Sequence, residues 1–315
     1  MKNINKWLFR FIGVFIFLLI LTKINFHEVF DILYRIKLIF FFYALILFFL
    51  GFLLKSWRWS ILLKHQNINC CLSELTCYYI ISMFLGTLTP GRIGEFYKVK
   101  YLMDKGYQMG RASISVILDR MYDILLLFIM LEIIFFYPFV NFKKICMPVL
   151  FGMGIVCIIL FFLFWNPTAK NILKKVIKFI LPKHVWTHFC SNINEFCQDV
   201  KHISTNKLIF PLIITILWFI IYLGCNYFVL LSVGVKMPIG LFIICISSIA
   251  VISFLPISIS GIGTRDAILI YFFSLIGYTK ESAIAYSIMI LFFAYVVHGS
   301  LYLIALLFIT TFSKS

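Results

Sequence analysis

Residues 208–233 contain no charged side chain, and five other stretches of the chain are long and mostly apolar. A helix of about 20 apolar residues spans the hydrocarbon core of a bilayer with its backbone hydrogen bonds satisfied internally. The six stretches are approximately 7–25, 38–63, 108–136, 145–165, 208–233 and 281–310. Only 13% of the residues are charged, about half of what a soluble domain needs to cover its surface. The chain therefore reads as an all-α polytopic membrane protein, with residues 1–315 forming a single integral membrane domain.

The basic residues, which give a net charge of +16, flank apolar spans and form no compact soluble patch. This excludes nucleic acid as the expected partner and favours anionic lipid. The nine cysteines include no CxxC pair, which fits reduced thiols better than a disulfide framework. At the start, Lys2, Lys6 and Arg10 precede an apolar run at 11–21 with no small-residue cleavage site after it, so an uncleaved first helix is expected. Residues 26–37 place Phe26, Val29, Phe30, Leu33 and Tyr34 at helical spacing, as a short interfacial helix would.

Two further apolar stretches break partway. Residues 73–90 end at Pro90-Gly91 and pass into GRIGEFYKVKYLMDKG; residues 238–256 end at Pro256 and pass into ISISGIGTRDAIL. Each second limb runs for about half the length that a crossing needs. Both stretches are expected to be re-entrant hairpins, 73–106 and 238–278, which return to the side they entered.

Charge asymmetry supports this count. With the N-terminus inside, Lys55, Arg58, Lys64, Lys98, Lys100, Lys105 and Arg111 all fall in cytoplasmic segments, as does the basic connector 166–207. The outer segments hold few basic residues. About six spans and two hairpins, with both termini cytoplasmic in the inner membrane, satisfy the rule.

An internal repeat underlies the arrangement. Gly106-Tyr107 leads to Ala112, and Gly277-Tyr278 leads to Ala283, each after a Pro/Gly break and a charged tract. The first unit, 38–136, enters from inside and the second, 208–310, from outside. Inverted repeats with broken helices at mid-depth are the architecture of secondary transporters.

Ionisable residues at membrane depth are functional candidates. Arg92, Gly94 and Glu95 follow Pro90 at the first break, where a helix start beside Arg92 would suit an anion; the alternative is a cytoplasmic loop with an Arg–Glu pair. Gly261, Gly263, Arg265 and Asp266 hold the equivalent place at the second break, with an outer-surface turn as the alternative. Asp119, Arg120 and Asp123 lie within one span, the two aspartates on a shared face. They form either part of the site or a structural ion network, and Arg92 or Arg265 is the expected counter-charge. Arg58, between Trp57 and Trp59, is either an interfacial anchor or a head-group contact.

His184 and His188, with Cys190, Cys197 and His202 nearby, give at most one good metal-binding pair, and no metal is expected. No phosphate loop, dinucleotide fingerprint, zinc-protease motif or nucleophile elbow occurs, so no cofactor is expected.

At SWRWSILL, TPGRIGEFYKVKYL, DRMYD, PISISGIGTRDAIL and the following GY-x4-A, the chain resembles the flippase-like family named for the transmembrane region of lysylphosphatidylglycerol synthase. The resemblance runs from about residue 7 to 310. It implies a membrane unit that moves a lipid or lipid-linked head group between leaflets. By matching position it gives candidate roles to Arg92, Glu95, Asp119, Arg120, Asp123, Arg265 and Asp266. One departure is that members often carry a basic residue in the last span, where this chain reads Ser287-Ile288-Met289-Ile290-Leu291. The aminoacyl-transferring domain of the two-domain synthases is also absent, so the chain is not expected to make lysyl-lipid.

The expected function is lipid or lipid-linked head-group translocation, with an anionic head group bound at the midplane between the two hairpins. The alternatives are a membrane-embedded transferase acting on a polyprenyl-phosphate or phospholipid, with Glu95, Asp119 and Asp123 as acid–base groups, and a small ion or solute transporter. Expected partners are the bilayer, the lipid substrate, and either a second copy of the chain or a partner synthase or transferase.

Overall fold

The computed structural model describes residues 22, 24–136, 206–254, 261 and 263–312. Nearly all of the expected first span, the expected span 145–165, the His/Cys group at 184–202 and almost all of the connector 166–207 lie outside the described residues. Within them every regular element is helical.

Helix α1, Phe26–Tyr34, starts where the Asn25 side chain accepts a hydrogen bond from the His27 N–H. It buries Val29 and leaves Phe30 and Tyr34 exposed. Helix α2, Leu38–Lys64, has 27 residues and is about 40 Å long at 1.5 Å per residue. Helix α3, Leu72–Leu88, ends before a 3-10 segment, Pro90–Phe96, which leads into the short α4, Tyr97–Asp104. Helix α5 is Met109–Phe136 and α6 is Asn206–Ser232. Helix α7, Ile239–Phe254, precedes α8, Thr264–Leu275. Helix α9, Lys280–Leu291, continues through a π-helical turn at Phe292–Val297 into α10, His298–Phe312.

Among the described residues, three segments are long and apolar enough to cross a membrane: Leu38–Lys64, Ile209–Ser232 and Lys280–Thr311. Each also carries an exposed apolar stripe. On α6 it comprises Ile209, Ile213, Ile216 and Ile220, all exposed and spaced three or four apart. Such stripes are costly in water and suit contact with lipid chains. Helix α5 is as long but bears Asp119, Arg120 and Asp123 around its middle, and it faces inward with Ile114, Asp119 and Leu126 buried.

The two broken stretches fold back on themselves. In the first, Lys105 at the end of α4 pairs with Glu74 near the start of α3. Tyr101 stacks on Tyr78 with ring centroids 3.6 Å apart, and Gly94 lies against the backbone of Leu85 and Gly86. These pairings run in opposite directions along the two limbs and define an antiparallel hairpin. In the second, Gly261 packs on Ser253, while the Tyr278 hydroxyl accepts from the Lys236 N–H at 3.1 Å, again closing both ends. Limb α3 is about 25 Å long and α7 about 24 Å, short of the roughly 30 Å core.

The packing is reciprocal. Limb α3 lies against α10, the end of the span that follows the second hairpin, and α7 lies against α5, the helix that follows the first. Helices α2 and α6 pack along each other.

Candidate functional site

The long helices and the first hairpin converge on a group of charged side chains removed from solvent. Lys55 and Arg58 are three residues apart on α2 and so share a face; both are buried, Arg58 completely. Asp119 and Asp123, four apart on α5, face them. Arg58 Nε donates to Asp119 Oδ1 at 2.9 Å and its Nη2 to Asp123 Oδ1 at 2.8 Å, so one guanidinium joins both carboxylates. Its Nη1 donates to Thr215 Oγ1 at 3.0 Å, and that hydroxyl in turn donates to the Pro211 carbonyl on α6. Arginine's planar fork makes this possible; a lysine could not satisfy three acceptors in these directions.

The hairpin adds two further donors to the carboxylates. Lys98 of α4 donates to Asp119 Oδ2 at 2.8 Å, and Tyr79 of α3 donates to the same oxygen at 3.0 Å. The Lys98 ammonium also lies 4.1 Å from the centre of the Tyr79 ring. Lys55 donates to Asp123 Oδ2 at 3.1 Å and sits 3.9 Å from the Trp218 ring centre. Each of these basic groups is thus desolvated against a carboxylate and an aromatic face, the arrangement that makes buried charge tolerable.

At the hairpin tip the network opens outward. Arg120 pairs with Glu95 and lies 3.7 Å from Asp123 Oδ2. Arg92 Nη1 is 3.8 Å from Glu95 Oε1. The Glu95 side chain is 1% exposed, that of Arg120 14% and that of Arg92 44%, so the ion-paired chain runs from buried to accessible. Arg92 has φ +56°, a left-handed conformation that costs a non-glycine residue about 1 kcal/mol. Its N–H donates to the Thr89 carbonyl at 3.2 Å, which closes the turn.

Counted along these ion pairs among the described residues, five basic side chains (Lys55, Arg58, Arg92, Lys98 and Arg120) meet three carboxylates (Glu95, Asp119 and Asp123), an excess of two positive charges. The second hairpin tip is balanced. Arg265 Nη2 lies 3.4 Å from Asp266 Oδ1, and its Nε donates to Ser287 Oγ at 3.1 Å. Ser287 donates to the same Asp266 oxygen, while Asp266 Oδ2 accepts from the Gly263 N–H at 2.9 Å. Ser287, in the stretch 287–291 noted above for its lack of a basic residue, places a neutral hydroxyl between the pair.

Several expectations are revised by this geometry. Arg58 is not an interfacial anchor: it is fully buried with Trp59, and only Trp57 of the three is exposed. Lys55, Arg58 and Lys98, counted above among cytoplasmic loop charges, are interior residues. Among the described residues, the ion pairs of Asp119 and Asp123 are with these three residues and, for Asp123, with Arg120, rather than with Arg92 or Arg265. Gly94 does not offer a free N–H to an anion, since that group donates to Thr89 Oγ1 at 2.8 Å; a Cβ there would run into the Leu85 carbonyl. The Gly263 N–H is likewise committed to Asp266. Lys55, Lys98, Tyr79, Thr215 and Ser287 were not singled out from sequence. The spacing Lys55-x-x-Arg58 inside an apolar stretch was the one available signal.

The family described as the lysylphosphatidylglycerol synthase TM region matches residues 8–301 of this sequence. The chain belongs to that family. Within it, the chain is similar to a UPF0104 membrane protein of Pyrococcus horikoshii, with 25% identity covering 89% of this chain and 90% of the relative. It is also similar to a UPF0104 membrane protein of Methanocaldococcus jannaschii, with 23% identity covering 84% and 83%. No solved structure matches the sequence. Membership makes this an integral membrane protein of a lipid-related family, in keeping with the exposed apolar stripes on α2, α6 and α10.

Proposed function

We propose that the protein is a lipid or lipid-linked head-group translocase, which binds an anionic head group between the tips of its two broken hairpins. The observation that carries this reading is the excess of two positive charges in a network that begins fully buried and ends at the accessible Arg92. Uncompensated charge is costly at depth, and an arriving anion offsets it. The re-entrant course of the hairpins is supported by their antiparallel closure and their short limbs. An inverted repeat over 38–136 and 208–310 is supported by the reciprocal packing of α3 on α10 and α7 on α5. In this reading the two halves rock about α2 and α6, exposing the tips to each leaflet in turn. Cytoplasmic termini and an inner-membrane location remain part of the proposal.

A transferase is disfavoured because Asp119 and Asp123 are fully committed to basic partners, leaving neither placed to exchange a proton with substrate. The test is translocation of a labelled anionic phospholipid in proteoliposomes by wild type, Arg92→Ala and Arg265→Ala. Both variants should lose most of the activity; wild-type rates in both would refute the reading.

A further inference from the structure

Glu95 stands apart from the other two carboxylates of the network. Asp119 and Asp123 each accept from buried donors of α2 or α4, with Arg120 at 3.7 Å from Asp123 as a further neighbour, whereas both ion-pair partners of Glu95 are partly exposed: Arg120 and Arg92. Its side chain reaches this position by crossing the face of Gly86, where a Cβ would be 2.5 Å from Glu95 Cγ. The carboxylate therefore occupies the one place in the network where two guanidinium groups meet a route to the outside.

We infer that Glu95 is a resident counter-ion in the seat of the substrate's phosphate, and that a phosphate ester binds by displacing it from Arg120 and Arg92. The inference rests on the anion-site reading above and adds the chemical class and the exchanging residue. Two arginines suit a phosphate because its oxygens accept paired N–H donors from each fork. A phosphodiester carries one negative charge, as Glu95 does, so it can take over the pairing of Glu95 with the two arginines. With Glu95 withdrawn and the seat empty, five cations would face two carboxylates, which keeps the seat occupied at every stage. An internal competitor of this kind lowers the apparent affinity by the fraction of time the seat is open.

The test uses the purified full-length protein in detergent, titrated with dioctanoyl-phosphatidylglycerol, with dioctanoylglycerol (the same chains without phosphate), and with inorganic phosphate. Glu95→Gln should bind the phosphatidylglycerol about tenfold more tightly than wild type, and adding Arg92→Ala should abolish the gain. A gain confined to the phospholipid assigns a lipid source, and an equal gain for inorganic phosphate assigns free phosphate to the same seat. Unchanged or weaker phospholipid binding by Glu95→Gln, or an equal gain for dioctanoylglycerol, overturns the inference. If Glu95→Gln does not purify folded, Glu95→Asp, whose shorter arm withdraws the carboxylate, should shift affinity in the same direction; no shift overturns it. Failure here with Arg92→Ala still defective in translocation removes only the counter-ion role. Wild-type translocation by both Arg92→Ala and Arg265→Ala removes the translocase reading itself.

Discussion

Lys98 Nζ lies 2.8 Å from Asp119 Oδ2, and neither side chain has any solvent-exposed surface. The pair ties the return limb of the first hairpin to the helix that follows it. Removing one member of a buried pair costs about 3–5 kcal/mol because the other charge is left uncompensated. Lys98→Met is expected near the lower figure, since Asp119 keeps Arg58 and Tyr79. Asp119→Asn should then cost less in the Lys98→Met background than alone. Apparent melting temperatures of the two single variants and the double variant measure this coupling, and simple additivity would show that the pair is not an energetic unit.

Arg58→Lys separates an interior role from an interfacial one. An anchoring residue tolerates lysine, which keeps charge and length. At this site lysine loses the fork that joins Asp119, Asp123 and Thr215, leaving at least one buried acceptor without its donor at about 1–3 kcal/mol. The variant should melt several degrees lower and translocate poorly. Wild-type thermal behaviour would return Arg58 to the membrane surface.

What could be read from sequence here depended on whether the signal was local. Hydrophobic length located α2, α6 and the last long span, because crossing a bilayer constrains a contiguous stretch. Pro90 and the glycines at 261 and 263 marked the hairpin reversals for the same reason. Asp119 and Asp123 stood out as charges in an apolar run. Their pairing with Arg58 and Lys55 did not, because those residues lie more than sixty positions away. A lysine near the inner end of a span also reads the same whether it faces cytoplasm or interior. Only the return of α4 beside α3 shows that Lys98 is inside. Ser287 was invisible as a site residue because a hydroxyl in a helix carries no charge and often bonds only its own backbone.

Gly94 and Gly106 make a second contrast. A Cβ on Gly94 would collide with the Leu85 carbonyl and the Gly86 N–H, which are backbone atoms that cannot turn aside. Gly106 has φ +85° but nothing near the place of its missing side chain. Gly94→Ala should therefore open the hairpin and abolish the folded peak on size exclusion. Gly106→Ala should cost only the left-handed penalty, about 1–2 kcal/mol, and remain folded. Equal behaviour of the two would mean that the limbs do not approach as closely as Gly94 requires.

At the second tip the prediction turns on how many partners a residue serves. Ser287→Ala removes one donor to Asp266 and one acceptor from Arg265, but Asp266 keeps the Gly263 N–H and Arg265 itself. The expected loss is about 1–2 kcal/mol, typical of hydrogen bonds involving charged groups. Asp266→Ala strands the Gly263 N–H, the Ser287 hydroxyl and the Arg265 guanidinium together, and the last of these is a buried charge with no other carboxylate paired to it among the described residues. It should lose about 3 kcal/mol or more. Because the Arg265 charge would then be unbalanced, anionic lipid should stabilise Asp266→Ala more than it stabilises Ser287→Ala. Melting curves with and without phosphatidylglycerol read both effects, and an equal lipid response in the two variants would place Arg265 out of reach of the head group.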